Sequence, residues 1–302
     1  MNKKYLVTGG AGFIGTNLVA ELSKEGDSVI VVDNLVSGDS KRLPSSTSFY
    51  KEDVRDTNTL IKLFVGVDVV VHLAALPSVQ YSIEYPQETF DVNVSGTLSV
   101  LEAMRRVNVP RIVFASSSAI YGDTEQLPIT EESPADPKTP YALHKRVGEE
   151  LLTLWSQLYG VDTTSLRFFN VYGPHADPKG PYAAVVSKFL QLHAEGKPLT
   201  ITGDGKQTRD FVHVHDVVRA IISAAEQPEL GNGEVLNIGS GARISVNEIA
   251  RLIGGEVTHT SARIESLHTQ ADIQKAQKKL QWEPMISFEA GIGELKKSNN
   301  LL

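Results

Sequence analysis

The chain has 302 residues, of which 41% are hydrophobic and 22% charged, and this balance predicts a folded protein of two domains or lobes rather than a disordered one. The net charge of −7, with no basic run longer than two lysines, disfavours nucleic acid as a partner. There is no cysteine, which excludes disulfides, thiolate metal ligands and thiol nucleophiles.

The sequence has no segment that is typical of a targeting signal or a membrane span. The first residues, MNKKYLVTGG, contain too few apolar side chains for the core of a signal peptide. The longest apolar stretch, VDVVVHLAAL, is interrupted by Asp68 and His72 and is too short to span a bilayer. We therefore expect a soluble, cytoplasmic protein.

Short β-branched runs alternate with longer helical patterns over the first 170 residues. Strands are predicted at 5–7, 29–32, 69–73, 111–115 and 165–169, and helices at 13–25, about 57–64, 90–107 and 142–159. Nearly continuous apolar strands are typical of parallel strands buried on both faces. This βαβαβ order predicts an α/β fold with a doubly wound parallel sheet of the Rossmann type over residues 1–168.

The composition changes after residue 170, where loops rich in glycine, proline and charged residues become more frequent. Helices are predicted at 183–194, 216–227, 245–253 and 271–280, and a strand at 235–238. We expect residues 169–302 to form mainly a smaller α/β lobe, with a strand and a helix from about 211–240 returning to the main sheet.

The first predicted strand ends in the glycine-rich turn TGGAGFIG, which contains Gly9, Gly12 and Gly15. Such a turn lets backbone N–H groups approach a pyrophosphate at the positive end of the following helix. Asp33 ends the second strand, where a carboxylate would accept hydrogen bonds from adenosine ribose hydroxyls and repel a 2′-phosphate. The sequence therefore predicts a dinucleotide site that prefers NAD to NADP.

A second pair of polar residues lies in TPYALHKR, where Tyr141 precedes Lys145 by one helical turn. Such a pair is common on solvated helix faces, and the spacing alone does not identify a site. The rest of the chain has to decide what the pair does.

Read together, the motifs resemble those of the extended short-chain dehydrogenase/reductases, and within them the NAD-dependent nucleotide-sugar epimerases of the UDP-galactose 4-epimerase type. The resemblance covers nearly the whole chain. It rests on TGGAGFIG, DNLVSG, EDVRD, VVHLAA, the Asn of DVNVSGT, FASSSAIYG, YALHK, RFFNVYGP, GDGKQTRDFVHV and ADIQKAQKKLQWEP.

The resemblance implies that Tyr141 is the general base and Lys145 its neighbour. A free phenol has a pKa of about 10 and is a poor base at neutral pH. A nearby ammonium and the positive ring of oxidised nicotinamide both favour the phenolate. By the same resemblance, Lys145 also holds the nicotinamide ribose, and Ser117 bonds the reacting sugar oxygen and relays its proton.

The resemblance also assigns individual residues to the cofactor. Asp53 and Val54 would contact the adenine, Ala74 and Ala75 would lie near the pyrophosphate, and Asn93 would be a buried polar group behind the cofactor. The full implied set is Gly9, Gly12, Phe13, Ile14, Gly15, Asp33, Asn34, Asp53, Val54, Leu73, Ala74, Ala75, Asn93, Tyr141, Lys145 and Phe168.

The substrate implied by the resemblance is a nucleotide sugar, by default a UDP-sugar, bound mainly by the smaller lobe. Arginines suit its diphosphate because their forked donors match phosphate oxygens. The family usually has R-P-G-E before its C-terminal A-D, whereas this chain has ARIESLHTQAD. Arg263 in this segment would replace the second diphosphate-binding arginine of the family. The implied substrate residues are Ser78, Ser117, Ser118, Tyr141, Asn170, Arg209, Arg263 and Thr269.

In the resembling epimerases, the position three residues before the Asp of A-D faces the sugar and limits its size. Here that position is Thr269, a small side chain that would admit N-acetylhexosamines as well as plain hexoses. If the count back from Asp272 is off by one residue, His268 would be the size-limiting residue. We would then expect N-acetylhexosamines to be excluded.

Three alternatives to a UDP-glucose/UDP-galactose 4-epimerase can be compared with the sequence, and each would be expected to show a feature that this chain lacks or to lack one that it has. A 4,6-dehydratase of the family would carry Asp-Glu where this chain has Ser118 and Ala119, and a 3,5-epimerase of the GDP-mannose type would use a cysteine. A catalytically inactive NAD-binding regulator would be expected to lack the tyrosine or the lysine.

Two further expectations concern metal and assembly. His213, His215 and Asp216 resemble a metal pair whose imidazoles would share a strand face, but no third ligand is evident and we expect no metal. Helices 90–107 and 142–159 carry apolar residues on more than one face, and in the resembling family they pair into a four-helix bundle, which implies a homodimer. These residues are Leu98, Leu101, Leu151, Leu154 and Trp155.

Overall fold

A computed structural model of the chain describes residues 2–178, 185–261 and 268–301. The helices are α1 (Phe13–Glu25), α2 (Thr57–Leu63), α3 (Val79–Glu84), α4 (Pro86–Phe90), α5 (Gly96–Val107), α6 (Pro140–Tyr159), α7 (Val185–Ala194), α8 (Val214–Glu226), α9 (Val246–Ile253), α10 (Gln274–Leu280) and α11 (Phe288–Ser298). The strands are β1 (Lys4–Thr8), β2 (Ser28–Val32), β3 (Ser48–Tyr50), β4 (Val69–His72), β5 (Arg111–Ser117), β6 (Asp162–Phe168), β7 (Asn170–Tyr172), β8 (Leu199–Thr202), β9 (Thr208–Arg209), β10 (Phe211–His213), β11 (Glu234–Ile238), β12 (Ile244–Ser245) and β13 (Val257–Thr260). Within these ranges, every helix is too short or too polar to cross a bilayer.

The described residues form a central sheet of seven parallel strands in the order β11-β6-β5-β4-β1-β2-β3. The strand order changes direction between β1 and β4. In open α/β sheets, ligands bind outside the carboxyl ends of the strands at such a switch point. The predicted doubly wound Rossmann fold is confirmed.

Helices cover both faces of this sheet and bury its apolar side chains. One face packs against α1 and α8, with Leu18 and Ile221 fully buried between the layers. The other packs against α2, α5 and α6, where Leu60, Leu101 and Leu152 are fully buried. Two apolar layers therefore hold the loops at the carboxyl edge of the sheet in fixed positions.

A smaller lobe has a core of its own, separate from the two layers on the sheet. Its buried side chains are Tyr172, Val186, Phe189, Leu190, Leu199, Ile201, Phe211, Ile249, Ala250, Ile253, Phe288, Ile292 and Leu295. Short strands pair here as β7–β10, β9–β12 and β8–β13. Within 211–240, α8 and β11 join the central sheet, whereas β10 pairs with β7.

Several elements differ from the sequence-based prediction. The single helix expected at 90–107 is built from α4, a π-helical turn at Asp91–Ser95 and α5. Several short elements were not predicted, because they have too few residues for a clear periodic pattern. They are β3, α3, β7, β8, β9, β10, β12 and β13. Helix α11 was also missed. The first two residues of the predicted helix 183–194 lie outside the described residues.

Candidate active site

The glycine-rich turn between β1 and α1 has room for backbone but not for side chains. Gly9 has a φ of +68°, and a Cβ there would lie 2.7 Å from the Ala74 nitrogen. A Cβ at Gly15 would lie 2.4 Å from the Gly9 oxygen. In this part of the described chain no side chain caps α1, whose N-cap is Gly12, so its first N–H groups are available to an anion. This cradle fits a pyrophosphate.

Asp33, at the end of β2, is held by the same turn. Its two carboxylate oxygens accept hydrogen bonds from the backbone nitrogens of Ala11 (3.0 Å) and Leu35 (2.8 Å). Burial raises the pKa of this carboxyl, and the two backbone bonds partly oppose that rise. Each ionised oxygen keeps a further acceptor site, which suits a pair of ribose hydroxyls.

The predicted adenine contacts lie one strand further out. Asp53 accepts two hydrogen bonds from the Arg55 side chain, at 2.8 and 2.7 Å, one from the Arg55 backbone nitrogen at 2.9 Å and one from Asn34 at 3.2 Å. The Arg55 hydrogen bonds are the main cause that lowers the pKa of Asp53 to about 2. Val54 is buried against Gly96 at the start of α5. Arg55 was not among the residues predicted for this site.

The residues after β4 are fixed by one buried amide. Asn93 accepts a hydrogen bond from the Leu76 nitrogen (2.8 Å) and donates to the Leu76 oxygen (3.1 Å). Leu73, Ala74 and Ala75 are half-buried immediately before that point. The remaining predicted cofactor residues are Phe13 and Ile14, half-buried at the start of α1, and Phe168, buried at the end of β6.

Helix α6 brings the tyrosine and the lysine to the end of β5. The Thr139 side chain caps the helix by accepting from the Ala142 nitrogen (3.3 Å), and Pro140 occupies its first turn. A Cβ at Gly148 would lie 2.6 Å from Cζ of Phe114, so the helix approaches β5 closely. Tyr141 is half-buried, and Lys145 is 4% exposed.

The ammonium of Lys145 lies among backbone and aromatic groups. Its Nζ donates to the Ala115 oxygen at 2.7 Å and lies 4.9 Å from the centre of the Phe114 ring and 5.8 Å from that of Tyr141. Burial lowers the pKa of Lys145 to about 8, and the charge of Glu149 opposes this. Lys145 is therefore positioned to act on the phenol through space.

Tyr141 is held by two serines, one of which was not predicted. Burial raises the pKa of the phenol to about 12, and a hydrogen bond with Ser117 opposes the rise. Ser117 ends β5 and also accepts from the Ala119 nitrogen at 3.2 Å. The Tyr141 backbone nitrogen donates to Ser82 Oγ at 3.1 Å. Ser82 lies 59 residues away in the sequence, and no local pattern marks it.

The predicted substrate residues of the smaller lobe converge on Asp210. Asn170 Nδ2 donates to the Asp210 oxygen at 2.8 Å, and Thr269 Oγ1 accepts from the Asp210 nitrogen at 3.4 Å. Arg209 immediately precedes Asp210, and its Nη1 donates to the Thr208 oxygen at 3.0 Å. Asn170 and Thr269 thus meet at the backbone of Asp210, next to Arg209 in the chain.

Other predicted substrate residues have different surroundings. Ser78 caps α3 by accepting from the Tyr81 nitrogen at 3.0 Å, and Ser118 is half-buried at the start of a 3₁₀ turn, Ser118–Tyr121. His268, the alternative size-limiting residue, is exposed and pairs with Thr208 Oγ1 at 2.8 Å. Arg263 lies outside the described residues.

The two histidines of HVHD do not share a strand face, so that expectation was wrong. His213 ends β10 and caps α8, in which His215 lies, because its Nδ1 accepts from the His215 nitrogen at 3.3 Å. Neutral His213 therefore carries its proton on Nε2, which faces Glu294 at 3.7 Å. The structure also supplies a third possible ligand that the sequence did not reveal, because His213, His215 and Glu294 lie close enough together for metal ligands. The Nε2 proton of His213 would have to be released before that nitrogen could bind a metal ion.

The parallel sheet, its glycine turn and the Tyr–Lys pair over β5 define an extended short-chain dehydrogenase/reductase. The chain belongs to the NAD dependent epimerase/dehydratase family, which matches residues 5–239. The enzymes of this family take NAD as their cofactor, and the cradle at Gly9–Gly15 fits its pyrophosphate.

Individual relatives cover essentially the whole chain. A putative UDP-glucose 4-epimerase of Methanocaldococcus jannaschii is 40% identical over 98% of this chain and 99% of its own length. A UDP-N-acetyl-α-D-glucosaminuronate decarboxylase of Bacillus cytotoxicus is 36% identical over 97% of each chain. The structure of a UDP-glucose 4-epimerase with UDP-glucose from Thermotoga maritima aligns with a TM-score of 0.92, at 37% identity, over 98% of this chain and 99% of that one.

Proposed function

We propose that this chain is a UDP-hexose 4-epimerase, an isomerase that interconverts UDP-glucose and UDP-galactose through a transient 4-keto sugar. The observation that carries the proposal is the position of Tyr141, bonded to Ser117 at the end of β5 with Lys145 on the next helical turn. The relationship to UDP-glucose 4-epimerases over the full length supports it.

In the proposed mechanism, bound NAD supplies the acceptor and later the donor of the hydride at C4 of the sugar. Ser117 holds the O4 hydroxyl and passes its proton to Tyr141. The phenol of Tyr141 needs nearby positive charge, because burial raises its pKa to about 12 even with the opposing hydrogen bond of Ser117. Lys145 supplies that charge from the same helix face. Return of the proton by Tyr141 completes the cycle without net redox change.

We propose that residues 1–168, with α8 and β11, hold NAD, and that 169–302 mainly bind the UDP-sugar. Asp33 and the glycine turn would hold the adenosine and pyrophosphate. Asn170 and Arg209 would contact the sugar diphosphate, which needs a fixed cation. Arg263 remains a proposed second cation, and Ser78 and Ser118 remain proposed sugar contacts.

We propose further that Thr269 limits the size of the sugar, so that UDP-N-acetylhexosamines are also substrates. The side chain is small, and the Bacillus cytotoxicus relative is named for an N-acetylated UDP-sugar.

A homodimer is proposed because α5 and α6 expose apolar side chains. The cytoplasm is the proposed location, since a chain without cysteine suits a reducing compartment.

Decarboxylation is the second candidate, because one relative at 36% identity is named as a decarboxylase. The two activities differ in product. The test is to incubate purified protein with UDP-glucose, UDP-galactose, UDP-N-acetylglucosamine and UDP-glucuronate, without added nucleotide cofactor, and to separate the products by chromatography. We expect 4-epimers to form. Release of carbon dioxide or water with no epimer would overturn the proposal.

A further inference from the structure

Helix α6 carries a third ionisable residue in register with Tyr141 and Lys145. Glu149 follows Lys145 by four residues, so the three side chains lie on one face of the helix. Glu149 is 2% exposed. Its carboxylate accepts from Ser116 Oγ at 2.6 Å and from Nε and Nη2 of Arg167 at 2.8 and 2.7 Å.

Arg167, the ion-pair partner of Glu149, belongs to a row of polar residues across three strands. Ser116 on β5, Arg167 on β6 and Asn237 on β11 are register partners in the parallel sheet. Arg167, 3% exposed, also donates to the Tyr121 hydroxyl at 2.8 Å, and that hydroxyl donates to Asn237 Oδ1 at 2.6 Å. The guanidinium is therefore fixed on both sides.

A buried ion pair is not by itself a stabilising device. The cost of removing two charges from water commonly cancels their attraction, and apolar residues of equal size often serve as well. This pair lies beneath the residues proposed to do the chemistry: Ser116 precedes Ser117, and Glu149 follows Lys145 by one turn. That position indicates an effect on the site rather than on stability alone.

The other charged or titratable groups near Lys145 do not supply a compensating negative charge. On β4, His72 is neutral because burial lowers its pKa to about 3. On α6, burial also lowers the pKa of His144, and burial raises that of Tyr141. Arg146 is a cation whose Nη1 lies 3.5 Å from Glu149.

We infer that Glu149 and Arg167 are positioning residues for the proposed epimerase reaction: Glu149 keeps Lys145 charged, Arg167 moderates that effect, and the pair holds the Ser116–Ser117 strand end against α6. Glu149 provides the negative charge that favours the ammonium. Arg167 fixes that carboxylate and limits its effect. The inference rests on the proposed function, but the charge of Lys145 can be measured without it.

The direct test is an NMR titration of protein labelled with ¹³C at the lysine ε position, with the Lys145 signal assigned by its loss in Lys145→Met. In Glu149→Gln we expect the pKa of Lys145 to fall by about one unit, because an attractive charge is lost. In Arg167→Met we expect it to rise, because the carboxylate loses its compensating cation. In Arg167→Lys, which keeps that cation, it stays close to wild type.

The matched control is Glu150→Gln, one residue along the helix, where an exposed carboxylate pairs with Arg146 at 3.0 Å. This variant leaves the Lys145 titration unchanged. Shifts of the same sign in Glu149→Gln and Arg167→Met, or no shift in either, would overturn the inference. If the Glu149 variant does not fold, the contrast between Arg167→Met and Arg167→Lys decides the matter alone.

The kinetic test separates charge from position. The high-pH limb of the kcat profile should move to lower pH in Glu149→Gln, parallel to the NMR shift. Ser116→Ala removes one hydrogen bond to Glu149 without changing charge; we expect it to lower kcat several-fold at unchanged KM and leave the titration in place. Unchanged kcat in Ser116→Ala would refute the positioning role. An inactive wild type with the NMR shifts intact would refute the proposed function and not the control of charge.

Discussion

At the scale of single residues, the proposed reaction depends on the proton affinity of Tyr141. Burial makes the phenol a weaker acid, with a pKa of about 12, although a hydrogen bond with Ser117 opposes the rise. In the proposed mechanism, the phenol acts as a base only when positive charge from Lys145 and the cofactor favours its ionised form.

Tyr141→Phe removes the base and keeps the ring. We expect kcat to fall by about 10²–10⁴-fold with KM nearly unchanged, the loss that is typical of a positioned acid–base group. The measurement is the rate of UDP-galactose conversion to UDP-glucose. Tyr159→Phe, a half-exposed tyrosine at the end of the same helix, is the control and keeps wild-type rates. A Tyr141→Phe enzyme with most of its activity would show that the base lies elsewhere.

Asp33→Asn keeps the shape of the side chain and removes its charge. We expect the preference for NAD over NADP to narrow, because the repulsion of a 2′-phosphate is lost while the bond to the Leu35 nitrogen can remain. Fluorescence titration with both reduced cofactors measures the ratio of affinities. Equal affinity of the wild type for the two cofactors would contradict the role given to Asp33.

His72 gives a prediction about stability and pH. It lies between Thr8 Oγ1 (2.7 Å) and Thr97 Oγ1 (3.0 Å), and burial, with a smaller effect of Lys145, lowers its pKa to about 3. Because the unfolded imidazole binds protons below pH ~6.5 and the folded one does not, stability present above that pH is lost as the pH falls towards 3. His72→Gln should flatten this slope by up to about 1 kcal/mol per pH unit in urea unfolding between pH 6 and 4.5. An equal slope in both proteins would show that His72 is protonated in the fold.

At the scale of elements, the segment that carries Thr269 is tied to β9 and to Asp210. The Thr269 nitrogen donates to the Thr208 oxygen at 3.1 Å, and Asp210 accepts from the Ala271 nitrogen at 3.0 Å. Asp210 also accepts from the Ser240 and Gly241 nitrogens at 2.6 and 2.9 Å. The position of the proposed size-limiting residue is thereby fixed against the turn after β11.

Thr269→Tyr should close the pocket to acetylated sugars. We expect activity on UDP-N-acetylglucosamine to be lost and activity on UDP-glucose to be spared, because only the larger substrate needs the space. Initial rates on the two substrates give the ratio. Thr258→Tyr, exposed on β13, is the control. Equal loss of both activities, or of neither, would show that Thr269 does not limit substrate size.

The sequence pattern predicted correctly those elements whose ends are determined by residues next to them in the chain. Helix α1 was expected at 13–25 and spans Phe13–Glu25, because the glycine turn precedes it and Gly26 ends it with a φ of +89°. Contacts made by the fold were not predictable in the same way. Ser82 reaches Tyr141, and Arg167 reaches Glu149 from another strand, and neither pairing leaves a signal in sequence spacing.

At the scale of the whole molecule, apolar side chains lie on the outer faces of α5 and α6. Leu98, Leu154 and Leu158 are 42%, 44% and 61% exposed. Leu101 and Trp155, which were predicted to lie on the same surface, are instead buried in the chain's own core, and Leu151 is partly buried against it. The outward leucines provide the surface for the proposed homodimer.

Leu154→Asp should weaken that dimer, because a carboxylate would be buried without a partner. We expect light scattering at micromolar concentration to give twice the chain mass for the wild type and a smaller mass for the variant. Met285→Asp, at a residue 72% exposed and outside these helices, is the control. A monomeric wild type would dispose of the proposed dimer.

The contact between Gly148 and Phe114 determines what can move during turnover. At Gly148, helix α6 lies so close to β5 that there is no space for it to shift sideways. Densely packed protein interiors do not deform gradually. We therefore expect Tyr141, the proposed base, and Lys145 to keep their positions during turnover. A 4-epimerase must nevertheless address both faces of one carbon atom. If the protein's reacting groups stay in place, the sugar is expected to turn over in the site while its diphosphate remains bound.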